Sequence, residues 1–482
     1  MNARTSFSIM IFREGAGPHR SLRAGTDGVG SARAYAKTAC KPLLVAAVAG
    51  LLSFSAKADS LLDVYRKVQE QDPVYLGARH ALQAARERVP QARALLLPSI
   101  NLVSANSRQS GQASFSESPY QDRKVGSWNW NLQITQPLWR ANSWIALDQA
   151  RLQEVVAEEQ FRQSEQDLIL RTAQAYLDVL VAREAQRVGS LQVNAVEQQL
   201  GLARRNYEVG TATVTDVHEA QSRLDVSKAQ AVAARGDVDN KQAELARMLG
   251  TPVERLAGLS DKARLPGLQP ETQQTWVDSA RVQALQVRIA QAALDVAERE
   301  ISKSQAAHSP SLDLTAGYSR NYASGSISSP ADIVTRYRSG QYGLSLNVPL
   351  FAGGGVQARV REAISLKDKA VQDLEAARRD AVAKASQAFS AVVNGMAQSK
   401  ALESALFSSK SAVDANKIGY RIGTRINIDV LNAEQQLYAA QRDWQKTRAD
   451  TLMQGLRLKA SNATLTESDL HAINNLLEQE SP

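Results

Sequence analysis

Residues Ser127-Trp128-Asn129-Trp130-Asn131-Leu132-Gln133-Ile134-Thr135 alternate strictly between polar and apolar side chains. A period of two marks a β-strand with two unlike faces. Working outward, Tyr342, Leu344, Leu346 and Val348 alternate with Gln341, Gly343, Ser345 and Asn347. Leu312, Leu314, Ala316 and Tyr318 follow the same rule, and Ile100 with Leu102 more weakly. The pattern predicts two β-hairpins, at about 99–136 and 311–349. Their connecting loops are expected near 106–126 and 319–340, the Ser-rich stretch 104–127 reading as an exposed loop.

Four short strands with an apolar face must put that face somewhere. One reading packs it on the chain's own helices. The other places it in lipid, apolar outward and polar toward water, as in membrane barrels. Lipid tolerates no open sheet edge, because each unpaired backbone group there costs several kcal/mol. Four strands cannot close, since barrels need at least about eight. Strands in lipid therefore require several copies of the chain to pool them. The residues alone do not choose between two, three or four copies.

The same plan occurs twice. Pro98-Ser99-Ile100-Asn101-Leu102 matches Pro310-Ser311-Leu312-Asp313-Leu314, and Gln136-Pro137-Leu138-Trp139 matches Val348-Pro349-Leu350-Phe351, both at an offset of 212. Tyr207-Glu208-Val209-Gly210-Thr211 matches Tyr420-Arg421-Ile422-Gly423-Thr424 at 213, as Asp216-Val217 does Asp429-Val430. So constant an offset means one structural unit in two copies. The expected organisation is a leader over 1–58, a first repeat over 59–249, a linker or equatorial region over 250–270, a second repeat over 271–475 and a tail over 476–482. Pro252, Gly258, Pro266, Gly267 and Pro270 mark the linker.

Between the hairpins the chain reads as long helix. No proline interrupts Pro137 to Pro252 or Pro349 to Pro482. A single helix over 139–207 would run on the order of 100 Å. Beyond it, Val217, Leu224, Ala231, Val238 and Leu245 recur every seven residues, with Ala220, Ser227, Ala234 and Met248 three later. Val430, Leu437, Trp444, Thr451 and Leu458 repeat the pattern. Heptad seams of this kind demand partner helices alongside.

The N-terminal segment differs in kind. A basic flank, the apolar run Leu43–Phe54 and Ala56-Lys57-Ala58 are the parts of a secretory signal, with cleavage expected between Ala58 and Asp59. This leader carries +6 of the chain's +8 formal charge, so the basic balance does not point to nucleic acid. The single cysteine, Cys40, precedes the apolar run instead of following it, which argues against lipid anchoring. Beyond the leader there is no thiol for a disulfide, a metal site or a nucleophile. His80, His218, His308 and His471 lack metal-ligand spacing. Gly353-Gly354-Gly355 is not followed by Gly-Lys-Ser/Thr and reads as a strand-to-helix turn, not a phosphate loop. No enzyme, cofactor or metal is expected.

The ordered set of motifs resembles the TolC family. It comprises Leu96-Leu97-Pro98-Ser99-Ile100-Asn101-Leu102, the paired Tyr-x-x-Gly-Thr-x-x-x-x-Asp-Val at 207–217 and 420–430, Leu61-Leu62-Asp63-Val64-Tyr65 with Asp72-Pro73, and Leu470-His471-Ala472-Ile473-Asn474-Asn475. The resemblance covers essentially all of 59–475. It implies an outer-membrane homotrimer, an α+β fold whose strands complete a twelve-stranded barrel above a periplasmic helical tunnel. Trp128, Trp130, Leu132, Ile134, Tyr342, Leu344 and Leu346 would face lipid. It further implies docking to an inner-membrane ABC transporter and a periplasmic adaptor, the membrane-fusion protein. The cargo would be polypeptide by type I secretion, such as an RTX toxin of the adenylate cyclase–haemolysin kind, or small molecules by multidrug efflux. A periplasmic coiled-coil scaffold, the alternative from another class, would leave the strands unused.

The resemblance also implies a periplasmic entrance closed by Thr215, Asp216, Tyr420, Arg425 and Asp429, beside turn glycines Gly210 and Gly423. Arg425 is then expected to hold Asp216 across the helix pair, and copies of Asp429 to form a cation-favouring carboxylate ring. The plainer alternative is that Asp216 and Asp429 cap or charge helix starts. One departure stands out: Asn432 occupies the place of a second acid, so the ring should hold half the charge.

Overall fold

The computed structural model describes residues 58–478 except 254, 261 and 262. The expected leader, with Cys40, lies outside the described residues apart from Ala58. Asp59 makes a parallel bridge to Leu256.

Each half is built on one scheme. In the first, α1 (Leu61–Gln71) and α2 (Pro73–Arg86) lead to α3 (Arg88–Ala94). Asp72 ends α1 and caps α2, accepting from the Tyr75 backbone at 3.1 Å, with Pro73 at the first helical position. The break at Glu87 follows from Pro90, whose ring would clash with a carbonyl four residues back in a continuous helix. Strands β1 (Ser99–Ala113) and β2 (Gln121–Arg140) follow, then α4 (Ala141–Glu208) and α5 (Val214–Leu249). After the two-residue β3 (Gly258–Leu259), the second half repeats the order with α6 (Gln273–Gln283), α7 (Leu285–Gln305), β4 (Ser311–Ala323), β5 (Thr335–Asn347), α8 (Gly355–Arg421) and α9 (Asn427–Ser461). Helix α10 (Glu467–Asn474) and β6 (Leu477–Glu478) close the chain.

α4 packs antiparallel on α5 and α8 on α9, while α4 also contacts α9 and α7 bridges α4 and α8. Leu224, Val238 and Leu245 are buried along the first heptad seam, and Val430, Trp444, Thr451 and Leu458 along the second. Small residues bring the helix pairs close. A Cβ on Gly395 of α8 would collide with Thr451 of α9, and one on Gly189 of α4 would touch Ala231 of α5 at 3.8 Å. The main core gathers Leu61, Val64 and Val68 of α1, Leu168 and Tyr176 of α4, Leu245 of α5, Leu456 of α9 and Leu470 of α10. Tyr176 donates to the Ala257 carbonyl at 2.8 Å, and buried Arg448 donates to the Ser260 and Ala263 carbonyls at 2.6 and 2.8 Å. Ala257, Ser260 and Ala263 of the expected linker are thus pinned to the helices.

The four long strands form one antiparallel sheet in the order β1-β2-β4-β5. The hairpin loops expected at 106–126 and 319–340 shrink to 114–120 and 324–334. Ser104–Ala113 and Gln121–Ser127 are ladder, not the exposed loop their composition suggested. Backbone pairing does not require apolar side chains, so the ladder runs past the apolar rows. Fifteen residues of β1 at about 3.4 Å each exceed an apolar band of about 25 Å. A second correction concerns the C-terminal tail: Leu477–Glu478 pair with Gly258–Leu259 as β6 and β3. Two-residue strands are too short to show any period.

Candidate functional site

The two helix-hairpin tips are built alike. Gly210 lies just beyond the end of α4 and Gly423 just beyond that of α8, with φ of +78° and +79°, a conformation that glycine adopts without a Cβ clash. The following threonine closes each turn twice. Thr211 donates its N–H to the Asn206 carbonyl at 2.8 Å and its hydroxyl to the same oxygen at 3.1 Å. Thr424 does likewise to Gly419, at 2.9 and 3.2 Å. This is the physical content of the repeated Gly-Thr.

The aspartates after the turns differ. Thr213 caps α5: its N–H and hydroxyl donate to Asp216 Oδ2 at 2.9 and 2.8 Å, and the Asp216 N–H donates back at 3.2 Å. Asp216 is consumed by this capping box. At the equivalent place α9 has Ile426, which has no hydroxyl to offer. Asp429 is released and pairs with Arg425 at 3.7 Å. The expected Arg425–Asp216 bond is therefore not formed within the chain. Local capping, three residues away, outcompetes a partner on another hairpin. Thr215 is exposed in the first turn of α5.

Amides and one arginine join the two tips. Asn206 donates to the Tyr420 hydroxyl at 3.0 Å, linking α4 to α8. Gln199 donates to Asn427 at 2.6 Å, linking α4 to α9 in a buried setting, and Asn427 donates to the Asp216 carbonyl at 3.5 Å. Arg223 of α5 forks onto Gln435 at 2.7 Å and Asn432 at 3.0 Å. So Asn432 is matched to a cation on the neighbouring hairpin. Lys417 pairs with buried Glu434 at 2.8 Å. Sequence reasoning found Tyr420 but missed Asn206, Gln199, Asn427 and Arg223, which carry no motif. Their one signal is position, within roughly three helical turns of a Gly-Thr pair.

At the far end of the helices the sheet keeps its two faces through the register. Ile100 stands opposite Ile134 and Leu102 opposite Leu132. Ile134 meets Ala316 and Leu132 meets Tyr318 on the next strand, then Ala316 meets Tyr342 and Leu314 meets Leu344. On the other face Asn131 meets Ser319, which meets Ser339, and Asn129 meets Asn321. The apolar face is bare: Tyr342 is 91% exposed, Leu344 67% and Leu346 65%. It does not pack on the chain's helices. Trp128 is exposed beside it, and Trp130 lies 5.4 Å from the Tyr318 ring. β1 and β5 are both edge strands, each with an unpaired side.

A family profile described as outer membrane efflux protein matches residues 64–251 and again 276–463. The chain belongs to the outer membrane efflux protein family. Its members similar to this chain include the outer membrane protein TolC of Vibrio cholerae, 33% identical over 90% of this chain and 97% of that one. The alkaline protease secretion protein AprF of Pseudomonas aeruginosa is 30% identical over 90% of both chains. The crystal structure of the Campylobacter jejuni CmeC outer membrane channel shares the fold, with a TM-score of 0.71, 15% identity and coverage of 89% of this chain and 95% of that one. The efflux-family resemblance to TolC stated from the motifs holds. The protein is an outer-membrane channel of the efflux or secretion kind, whose helices extend into the periplasm. Among the described residues no helix is long and apolar enough to cross a membrane.

Proposed function

We propose that the protein is the homotrimeric exit duct of a type I secretion system, passing polypeptide from an inner-membrane ABC transporter and its periplasmic adaptor. The observation that carries the reading is the four-stranded sheet with a bare apolar face and two open edges. Three copies pair β5 of one with β1 of the next and close twelve strands, leaving no edge in lipid. The polar face, with Asn129, Asn131, Gln133 and Ser339, then lines a water-filled lumen. The likeness to a protease secretion protein along nine-tenths of both chains favours polypeptide cargo. Crosslinking in cells followed by detergent extraction tests this. Co-purification of an ABC transporter with its adaptor, and loss of one secreted protein on deletion of the duct, are expected. Recovery with a drug-efflux transporter, and unchanged secretion, would assign it to small-molecule efflux instead.

At the opposite end Asp216, Tyr420, Arg425 and Asp429, with Thr215, belong to the periplasmic entrance. Its closure rests on the cross-hairpin amide bonds more than on Arg425, whose exposed i,i+4 pair is worth at most about 0.5 kcal/mol. The partly buried Asn206–Tyr420 bond is worth about 1 kcal/mol. Single-channel recording in planar bilayers separates the two. Tyr420→Phe should raise closed-state conductance more than Arg425→Ser does. A larger effect of Arg425→Ser would show that Arg425 closes the entrance through a neighbouring copy.

A further inference from the structure

Above its apolar rows the lipid-facing side of the sheet becomes basic. Strand alternation carries that face from Leu314, Ala316 and Tyr318 to Arg320 and Tyr322 on β4. On β5 it runs from Leu344 and Tyr342 through Gly340 to Arg338 and Arg336. Arg108 of β1 and Lys124 of β2 stand on the same face, farther out. All five cations are exposed. None of them forms an ion pair among the described residues. Asp313, the carboxylate on β4, points to the opposite face and is taken by Arg140 at 2.7 Å. Asp122, two residues from Lys124, accepts from Gln112 at 2.9 Å.

Register sharpens the point. Arg320 lies directly opposite Arg338 across the β4–β5 ladder, and directly opposite Trp130 on its other side. Like charges facing each other across a ladder are destabilising unless an anion lies between them. Arg336, one row farther out, lies over the Tyr322 ring at 5.4 Å. The strands join the helices at their opposite ends, so these rows lie toward the 114–120 and 324–334 tips. With the helices periplasmic, they reach the outer leaflet, at the level of Trp128 and Trp130. Arginine on the lipid face of a barrel is tolerated near the interface, not at mid-depth, and aromatic side chains mark that level.

We propose that Arg320, Arg336 and Arg338, flanked by Arg108 and Lys124, bind the phosphate groups of a phosphorylated glycolipid of the outer leaflet, one phosphate bridging Arg320 and Arg338. Guanidinium groups suit this role because their planar fork bonds phosphate oxygens in pairs. Tyr318, Tyr342 and Leu344 below them offer apolar surface to the acyl chains. The inference rests on the reading of the sheet as a membrane barrel.

Binding of a fluorescent diphosphorylated lipid A to the full detergent-purified protein tests it, against the dephosphorylated lipid and inorganic phosphate. The diphosphorylated lipid should bind at least tenfold more tightly than the dephosphorylated one, and millimolar inorganic phosphate should not displace it. Each cation near an anionic surface contributes roughly fivefold, so R320Q/R336Q/R338Q should weaken binding about a hundredfold. R336Q alone, which leaves the Arg320–Arg338 pair intact, should weaken it about fivefold and serves if the triple variant fails to assemble. Equal binding of both lipids, displacement by inorganic phosphate, or an unchanged R336Q would overturn the proposal. Failure of the barrel reading is separable: it would show as conductance lost in planar bilayers and no quenching of Trp128 and Trp130 by brominated lipid in the wild type.

Discussion

One residue separates the chemistry of the two helix-hairpin tips. Thr213 and Ile426 occupy equivalent places before an Asp at the third helical position. The hydroxyl of the first draws Asp216 into a capping box, and the hydrocarbon of the second leaves Asp429 to Arg425. Giving the second tip a hydroxyl should therefore convert it into the first. Ile426→Thr is expected to stabilise the start of α9 by about 1 kcal/mol, a typical capping gain. It should at the same time weaken cation block of the channel by occupying Asp429. Calorimetry and bilayer recording at varied divalent-cation concentration read both effects. Higher stability with unchanged block would mean that Asp429 does not face the pore. The Gly-Thr pair was legible in the sequence because both copies need a positive φ and a carbonyl-closing hydroxyl. The partner of each aspartate was not, since a capping bond and a long-range ion pair present the same residue type.

At the scale of elements, close helix packing and burial of phenols govern stability. Gly395 lets α8 lie against Thr451 of α9. Gly395→Ala should destabilise the fold by about 1–3 kcal/mol through overpacking and so lower the thermal midpoint, and Thr451→Ala should restore most of the loss. Additive losses in the double variant would show that the contact does not matter. Tyr65 of α1 belongs to the main core, and burial pushes its phenol up to about 12, with the Glu467 carboxylate adding to the effect. The unfolded phenol ionises near 10, so the folded state holds the proton longer. The resulting stability is complete below pH 10 and disappears as pH rises from 10 to about 12. Tyr176 is raised in the same direction by burial. Urea unfolding followed by circular dichroism should thus show stability falling across that window. Tyr65→Phe should flatten the fall, and an unchanged slope would place the titration elsewhere.

For the molecule as a whole, the decisive fact is where the apolar face of the sheet ends up. Trp128 and Trp130 flank rows of exposed Leu, Ile and Tyr that no helix of the chain covers. In liposomes containing brominated acyl chains, the fluorescence of Trp128 and Trp130 should be quenched strongly. Trp276, buried in the helical part, should be spared. Spectra from Trp128→Phe and Trp130→Phe variants assign the quenched signal. A protein whose Trp128 and Trp130 escape quenching, and which stays monomeric without detergent, would not be an outer-membrane duct.

What the sequence determined by itself was everything that repeats with a period. Period two announced the strands, period seven the seams from Val217 and Val430, and the 212-residue offset the doubled plan. These signals are local or self-similar, so neighbouring residues suffice to reveal them. Only the tertiary structure decided which non-repeating polar groups meet: Asn206 with Tyr420, Gln199 with Asn427, and Arg223 with Asn432. Such pairs join residues that are far apart in the chain, and strand register or helix packing alone brings them together. The extra ladder at Ser104–Ala113 and the β3–β6 pairing belong with them. Backbone hydrogen bonds form wherever two strands are held side by side, whatever their side chains.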